Sequence, residues 1–467
     1  MSATQRRARI ALGMPDVRGR RSLVAAILID SLGSGLFLPF AVVYPSAVAH
    51  IPLGVTGTML SLATLFALPI PLLAGLVVDH MGARVPIVAA NLVQAVGFAG
   101  YLAIAHPWHL FACALCVAIG NQAYWAVNGA FLSAVAGPAE RTRWFALQGA
   151  CRSAGLGAGT AAAGLAAATL ASGQGYRLLA ALNAISFVAA AALSVRVPVM
   201  PVMPVMPVAA DARPDQVARA GSRRWAALGG YRPILRDGPF LGFTATNVAF
   251  SLCVLSFALI LPPFALGTLR QPPWMVGMLF AINTAVVATT QTVVTAWIGR
   301  FRRTRALACA AGLFGLAFVA LALVSRLPEA YGEPRSWVIA GLIAAMGIYT
   351  LAELVMAPLK NALVADVAPE ASRGRYLAFY HLSWSAASTA APALLTSLLA
   401  RGALALWPAL AVVALLAALA LLRLDALLPA HAVHPPNASA MRSGRLGDAG
   451  SDAGSSDARP CDGGAVE

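Results

Sequence analysis

The turn Gly75-Leu76-Val77-Val78-Asp79-His80-Met81-Gly82-Ala83-Arg84 decides how this chain folds. It places an acid, a histidine and an arginine between two apolar runs, 54–78 and 85–105. Each run can cross a bilayer as a helix, which takes about 20 residues at about 1.5 Å per residue. The same alternation continues outward in both directions. Further apolar stretches lie at 22–49, 109–136, 144–170, 177–196, 239–265, 273–298, 305–325, 336–366, 375–400 and 404–428, separated by charge or by Pro and Gly. Ala and Leu dominate them and no strand-like alternation is sustained, so helices rather than barrel strands are predicted. The predicted fold is all-α, with twelve transmembrane helices.

Composition agrees. Of 467 residues, 59% are hydrophobic and 11% charged, and mean hydropathy is +0.76. A soluble domain carries about 25% charged residues. This chain could not cover a water-facing surface, which argues against a soluble enzyme, a disordered protein or a nucleic-acid-binding module. The formal charge of +15 is a topology signal instead. Of 33 basic residues 32 are Arg, and the single lysine, Lys360, lies inside an apolar stretch. With the N-terminus inside, 26 arginines fall on the inner side and five (Arg177, Arg270, Arg326, Arg335 and Arg401) on the outer, with Arg152 within a span. Both termini are therefore expected in the cytoplasm. Anionic lipid is an expected partner of the basic face, and nucleic acid is not. The six cysteines are scattered, and no ligand set completes a metal site around Cys113 and Cys116.

The twelve spans divide six and six. Residues 1–21 form a basic N-terminus and 22–196 the first bundle. Residues 197–238 open with a Pro-Val-Met repeat, turn Arg-rich, and read as a cytoplasmic linker. A second bundle covers 239–428, and 429–467 read as a disordered tail. The halves resemble each other: Arg141-Thr-Arg-Trp-Phe-Ala146 leads into span five and Arg373-Gly-Arg-Tyr-Leu-Ala378 into span eleven. A duplicated six-helix unit is a transporter plan with its site between the halves.

The span two–three turn resembles the G-x-L-x-D-x-x-G-x-R/K signature of the major facilitator superfamily, with Val77 where Leu is usual. The resemblance covers 22–428 and implies two pseudo-symmetric six-helix bundles. It also implies gate roles for Gly75, Asp79, Gly82 and Arg84, with Asp79 bracing the start of span eleven and Arg84 helping to hold the inner gate shut. A carboxylate suits a helix N-terminus. Within that family the chain is most similar to bacterial drug/proton antiporters, through Asp30, Gly33, Gly35 and Pro39 in span one and Glu353, Pro358, Pro369 and Arg373-Gly-Arg375 around span ten. In span five the glycine spacing of the antiporter signature survives (Gly155, Gly157, Gly159), but its proline does not. The resemblance also implies that spans one, four, seven and ten line a central cavity.

Of 18 acidic residues, only Asp30 and Glu353 lie well inside spans, with Arg152 and Lys360 as basic counterparts. A charge at mid-bilayer is expensive and is a functional candidate by default. Asp30 and Arg152 each sit about eight residues from the inner end of their helix, roughly 12 Å deep. An Asp30–Arg152 ion pair is predicted, either structural or opening as Asp30 takes a proton. Glu353 is the second candidate for proton coupling. Lys360, two turns on and about 10 Å away, either joins the cavity or snorkels to the surface. Ser34, Phe37, Asn121, Tyr124, Trp125, Asn128, Asn247 and Phe250 complete the predicted substrate cavity, unless they serve helix packing. Asn283, Gln291, His381 and Trp384 are weaker candidates. Amides beside aromatics suit a flat, amphipathic ligand.

No phosphate-binding loop and no catalytic constellation appears. No enzyme activity, cofactor or metal is expected. The reading is a monomeric secondary transporter of the cell inner membrane, working by alternating access, with protons and a small molecule as its partners. Efflux of amphipathic compounds is the first expectation and proton-coupled import of a metabolite the alternative. A non-transporting receptor or scramblase is a third class.

Overall fold

The computed structural model describes residues 17, 19–135, 141–169, 172–198, 232–326, 335–369 and 373–433. Each of the twelve predicted stretches holds helix, and the described residues contain no strand. Span one is Arg21–Phe37, continued through Leu38–Phe40 and Val43–Ala49. Span two is Leu53–Ala67 and Ile70–Met81, broken at Pro69. Span three is Arg84–Tyr101, span four Pro107–Val135, span five Arg141–Thr169 and span six Ser172–Val195. Span seven is Gly238–Pro263, with a wider turn at Phe264–Thr268 after its two prolines. Spans eight to twelve are Pro273–Ile298, Arg303–Val324, Arg335–Val367, Arg373–Ala400 and Ala403–Leu424.

Among the described residues, eight of these helices are long and apolar enough to cross a membrane. Spans two, three, five and eleven are the others. Pro69 divides span two, where a proline removes a helix N–H and crowds the preceding turn. Span three carries Asn91 and Gln94, span five Gln148 and Arg152, and span eleven His381 with a run of serines. Much of that polarity is turned into the protein. Asn91, Gln94, Gln148 and Ser383 are all buried.

Each half has its own core. Phe250, Phe257, Phe314, Phe318 and Trp407 belong to one buried cluster that draws only on residues 234–433. The first half has two, one around Phe37, Tyr44, Phe98 and Tyr101 and one around Val127, Phe131 and Trp144. Within halves, span one packs on spans five and six, span three on four and six, and span nine on ten and twelve. Order runs slightly past the expected boundaries. Val197 is buried in the first half, Arg232–Arg236 is helical with Ile234 buried, and Ala430–Val433 is a helical turn with Ala432 and Val433 buried. Those flanking residues are apolar, and they add to the cores of the bundles they adjoin. The rest of the expected linker and tail lies outside the described residues.

The halves meet through spans five and eight and through spans two and eleven. Small residues let these backbones approach closely. A Cβ on Gly164 would stand 2.5 Å from the Cα of Gly277, and one on Gly57 would stand 2.4 Å from the carbonyl oxygen of Pro392. The backbone N–H of Ala393 donates to Ser61 Oγ at 2.9 Å. All these ties lie toward one end of the molecule. The other end carries the start of span one and the span two–three and eight–nine turns, with Arg20, Arg21, Arg84, Arg300, Arg302, Arg303 and Arg305. This is the basic end. A Cβ on Gly149, nearer to it along span five, would meet nothing.

Candidate functional site

Asp30 is 5% exposed, held between spans one, three, four and six. Among the described residues its carboxylate makes no hydrogen bond or ion pair. The predicted Asp30–Arg152 ion pair is therefore not formed. The Arg152 guanidinium lies 4.5 Å from the ring centroid of Trp125 instead. An indole face attracts a cation through its quadrupole and leaves the guanidinium edges free for water. Arg152 stays close enough for its charge to act on Asp30.

The four predicted residues of span four separate. Asn121 and Trp125 are exposed, whereas Tyr124 and Asn128 are buried. Gln148 Nε2, one turn before Arg152, donates to Asn128 Oδ1 at 2.7 Å and reaches the Tyr124 hydroxyl. Two of the predicted cavity residues are core instead. Phe37 is 4% exposed and meets Tyr44, Phe98 and Tyr101 edge-on or tilted. Phe250 is 2% exposed and packs on Phe314. Asn247 is also buried. Its amide donates to Ser383 Oγ at 2.7 Å and accepts from the Tyr380 hydroxyl at 3.0 Å, which ties span seven to span eleven. Ser34 is half-buried.

In the second half, Asn283 Nδ2 donates to Glu353 Oε2 at 3.1 Å and to Thr350 Oγ1 at 3.0 Å. Gln291 Nε2 donates to the Leu354 carbonyl at 3.2 Å. Span eight therefore presents a short polar face to span ten around the half-buried Glu353. The described residues contain no Glu353–Lys360 ion pair. Lys360 Nζ stands 5.6 Å from the ring centroid of Trp384 on span eleven. His381 is exposed on the same helix.

Of the gate residues, Gly82 has φ +73° and caps the Ile70–Met81 helix through its N–H to Val78 O at 2.9 Å. That left-handed turn favours glycine. Arg84 Nη2 donates to the carbonyl of Val197, so here Arg84 binds the end of span six in its own half. The side chains of Gly75, Asp79, Arg373 and Arg375 lie outside the described residues, and the expected brace onto span eleven with them.

Asn91 and Gln148 escaped the sequence reading. Each is an amide in an otherwise apolar helix, and that signal was available. What they face lies on other helices, Asn128 for Gln148 and the space beside Asp30 for Asn91, and was not.

A family model, the Major Facilitator Superfamily, matches residues 23–353 and 268–446. The chain is similar to "Multidrug resistance protein MdtH" of Edwardsiella ictaluri (strain 93-146), 25% identical over 379 residues, covering 78% of this chain and 84% of that one. It is also similar to the "Na(+), Li(+), K(+)/H(+) antiporter" of Planococcus maritimus, 26% identical over 176 residues, covering 35% of this chain and 39% of that one. Among solved structures, the inward open conformation of the xylose transporter XylE from E. coli aligns with a TM-score of 0.64 at 13% identity, covering 88% of this chain and 99% of that one. That likeness shows the fold. A multi-pass, all-helical transporter of small molecules, and not an enzyme, is what the helices, the half-repeat and these relatives establish together. The chain belongs to the major facilitator superfamily.

Proposed function

We propose that this transporter exports amphipathic small molecules in exchange for protons by alternating access. The observation that carries the reading is the Asp30 carboxylate, 5% exposed and without a hydrogen bond among the described residues, beside an Arg152 that rests on Trp125. A buried carboxylate with no partner changes its bonding when it gains or loses a proton. Arg152 is then the group that answers, moving between Trp125 and Asp30. Glu353, held by Asn283, forms the second acidic centre. The likeness to a multidrug resistance protein and to a cation/H(+) antiporter supports drug efflux and antiport.

The basic end is the cytoplasmic face of the inner membrane, following the arginine bias, and both termini lie there. The bundles 22–196 and 239–428, joined by the 197–238 linker, rock about the cleft between them. The contacts between the halves lie toward the opposite end, which supports a cleft that faces the cytoplasm in this conformation. Asn121, Trp125 and Lys360 border that cleft, and Asp79 with Arg84 control its inner gate. One chain holds both halves and the working unit is a monomer.

The test uses inverted membrane vesicles acidified inside, with a panel of flat amphipathic dyes headed by ethidium. Wild-type vesicles accumulate dye, and a protonophore or Asp30→Asn stops it. Accumulation that survives both removes the proton role. Cells that gain dye on expression, instead of losing it, reverse the direction.

A further inference from the structure

A small space lies within the first half, apart from the seam between the halves. It sits between spans one, three, four and six, and no residue of the second half lines it. Asp30, Asn91, Tyr124, Asn128 and Ser194 give it its polar groups. Leu23 and Phe131, both buried, line it on the side nearer the basic end. Its free volume of about 20 Å³ has room for one water molecule.

The polar groups around it are left short of partners. The Asp30 carboxylate makes no hydrogen bond among the described residues. Asn91 is 2% exposed, and its Oδ1 is buried without a partner. Asn128 Oδ1 already accepts from Gln148, which leaves the Asn128 amide nitrogen as a donor. An apolar void of this size stays dry, whereas one with several polar partners holds water. Unsatisfied buried polar groups are costly, and one bridging water relieves several of them.

We propose that this cavity holds an ordered water that carries protons between Asp30 and the basic end, by a route separate from the substrate cleft. The inference rests on Asp30 being the proton carrier. In the release step the Asp30 O–H bond breaks and a new O–H bond forms on the water oxygen. The excess proton passes from that water to solvent water that enters past Leu23 and Phe131 from the basic end, and the carboxylate stays behind as an anion that Arg152 can approach. No electron changes hands. The charged and titratable groups facing Asp30 are Arg152 from span five and Tyr124 from span four. Spans three and six face this cavity with the uncharged Asn91 and Ser194.

The separation of routes has a consequence that activity alone would not reveal. Filling the cavity stops net proton movement and spares substrate exchange. The experiment uses purified protein in proteoliposomes with ethidium, and pyranine trapped inside to report pH. Asn91→Leu and Ser194→Val put apolar groups where the water sits. Both variants should catalyse ethidium counterflow, which needs no net proton transfer, at the wild-type rate. Their gradient-driven ethidium flux and coupled proton flux should fall about tenfold, because neither side chain replaces the water's hydrogen bonds. Asn91→Ser, which keeps both room and polarity, should restore coupled flux. Wild-type coupled flux in both filled variants overturns the route. Equal loss of counterflow in Asn91→Leu, Ser194→Val and Asn91→Ser also overturns it, as a packing role would give that result. Asp30→Asn in the same assay separates the two readings. If it keeps gradient-driven flux, the proton role of Asp30 fails. If it loses that flux while the filled variants keep theirs, only the water route fails.

Discussion

The two halves solve one problem differently. Each sets an acid within a helix, Asp30 buried and Glu353 half-buried, and each seats its cation on a tryptophan rather than on that acid. Arg152 of span five lies over Trp125 of span four, and Lys360 of span ten lies over Trp384 of span eleven. The pattern is exchanged between equivalent helices: the first half takes its cation from span five and its indole from span four, the second the reverse. The acids differ in what holds them. Glu353 accepts a hydrogen bond from Asn283, whereas the Asp30 carboxylate takes none from the described residues. An anchored carboxylate has a fixed geometry, and an unanchored one is free to change partner. Under the proposed exchange for protons, the contrast puts the mobile proton on Asp30 and a more static, orienting charge on Glu353.

The largest expected effect tests that contrast directly. Asp30→Asn should cut gradient-driven dye flux by about tenfold or more, a free-energy difference of about 1.4 kcal/mol or more. Glu353→Gln keeps a partner for Asn283 and should lower flux less, with its pH dependence unchanged. Vesicle flux measured across pH for both variants decides the matter. The reverse order would move the mobile proton to the second half. Arg152→Gln sharpens the test: if Arg152 answers Asp30, the Asp30→Asn and Arg152→Gln losses are not additive.

The fold was legible because its signal is one-dimensional. Runs of apolar residues report spans whatever lies around them, and the arginine bias reports sides. Asp30 and Glu353 were legible for the same reason, since a charge in an apolar run stands out. What the spacing could not supply was rotation. Asn121, Tyr124, Trp125 and Asn128 share one helical stripe, yet the stripe straddles a boundary, with two residues exposed and two buried. Equal depth suggested an Asp30–Arg152 pair, but depth does not say which neighbour the guanidinium meets first, and Trp125 was nearer. Phe37 and Phe250 each follow a polar residue of the same span, Ser34 and Asn247, by one turn, yet they pack against aromatics from other helices. The polar side chains Asn91, Gln148 and Asn283 acquire meaning only once helices are placed side by side.

The ties between the halves are the next level of comparison, one pair of helices against the other. Gly164→Leu would drive a side chain into Gly277 of span eight, and Gly57→Leu one into Pro392 and Thr396 of span eleven. Backbone atoms cannot yield as flexible side chains do, and overpacking of this kind costs about 1–3 kcal/mol. Both should weaken closure at the end opposite the basic one. Thiol labelling of Ser61→Cys, in a background without native cysteines, should become faster in Gly164→Leu. Unchanged labelling would mean that the seam at spans five and eight does not govern closure.

Smaller effects separate the two acid centres. Asn283→Ala removes the one side-chain hydrogen bond that Glu353 makes among the described residues, and Gln148→Ala removes the bond to Asn128. Interhelical hydrogen bonds in membranes are worth about 0.6 kcal/mol on average and about 1.7 at most. Thermal denaturation in detergent should show the larger loss for Asn283→Ala, whose bond is to a carboxylate. Replacing the indole faces, Trp125→Leu and Trp384→Leu, should cost about 0.5–1 kcal/mol each. Trp125→Leu should also raise the dye concentration needed for half-maximal flux, and an unchanged value would place the dye elsewhere.

The last contrast lies at the basic end, far from both acids. In the second half Asp425, just past span twelve, accepts from Arg302 Nε at 3.1 Å, Arg305 Nε at 3.2 Å and the Thr304 hydroxyl. Arg303 meets Asp366, and also the Ala432 carbonyl at 3.0 Å. The start of span nine is thus bound to the ends of spans ten and twelve, whereas in the first half Arg84 meets only a backbone carbonyl there among the contacts described. Burial pushes the Asp425 carboxyl up, but the hydrogen bonds from Thr304 and Arg305 and the charges of Arg302 and Arg305 outweigh it and hold the group below its ordinary value of 3.8. A group lowered in the folded state stabilises that state fully above its unfolded value and loses the contribution as pH falls through its folded one. The melting temperature of wild type should therefore exceed that of Asp425→Asn at pH 7 and above pH 4. The gap should narrow only below that, as the carboxylate is protonated. A gap that closes between pH 7 and pH 5 would mean that another group, not Asp425, carries the acid sensitivity of this end.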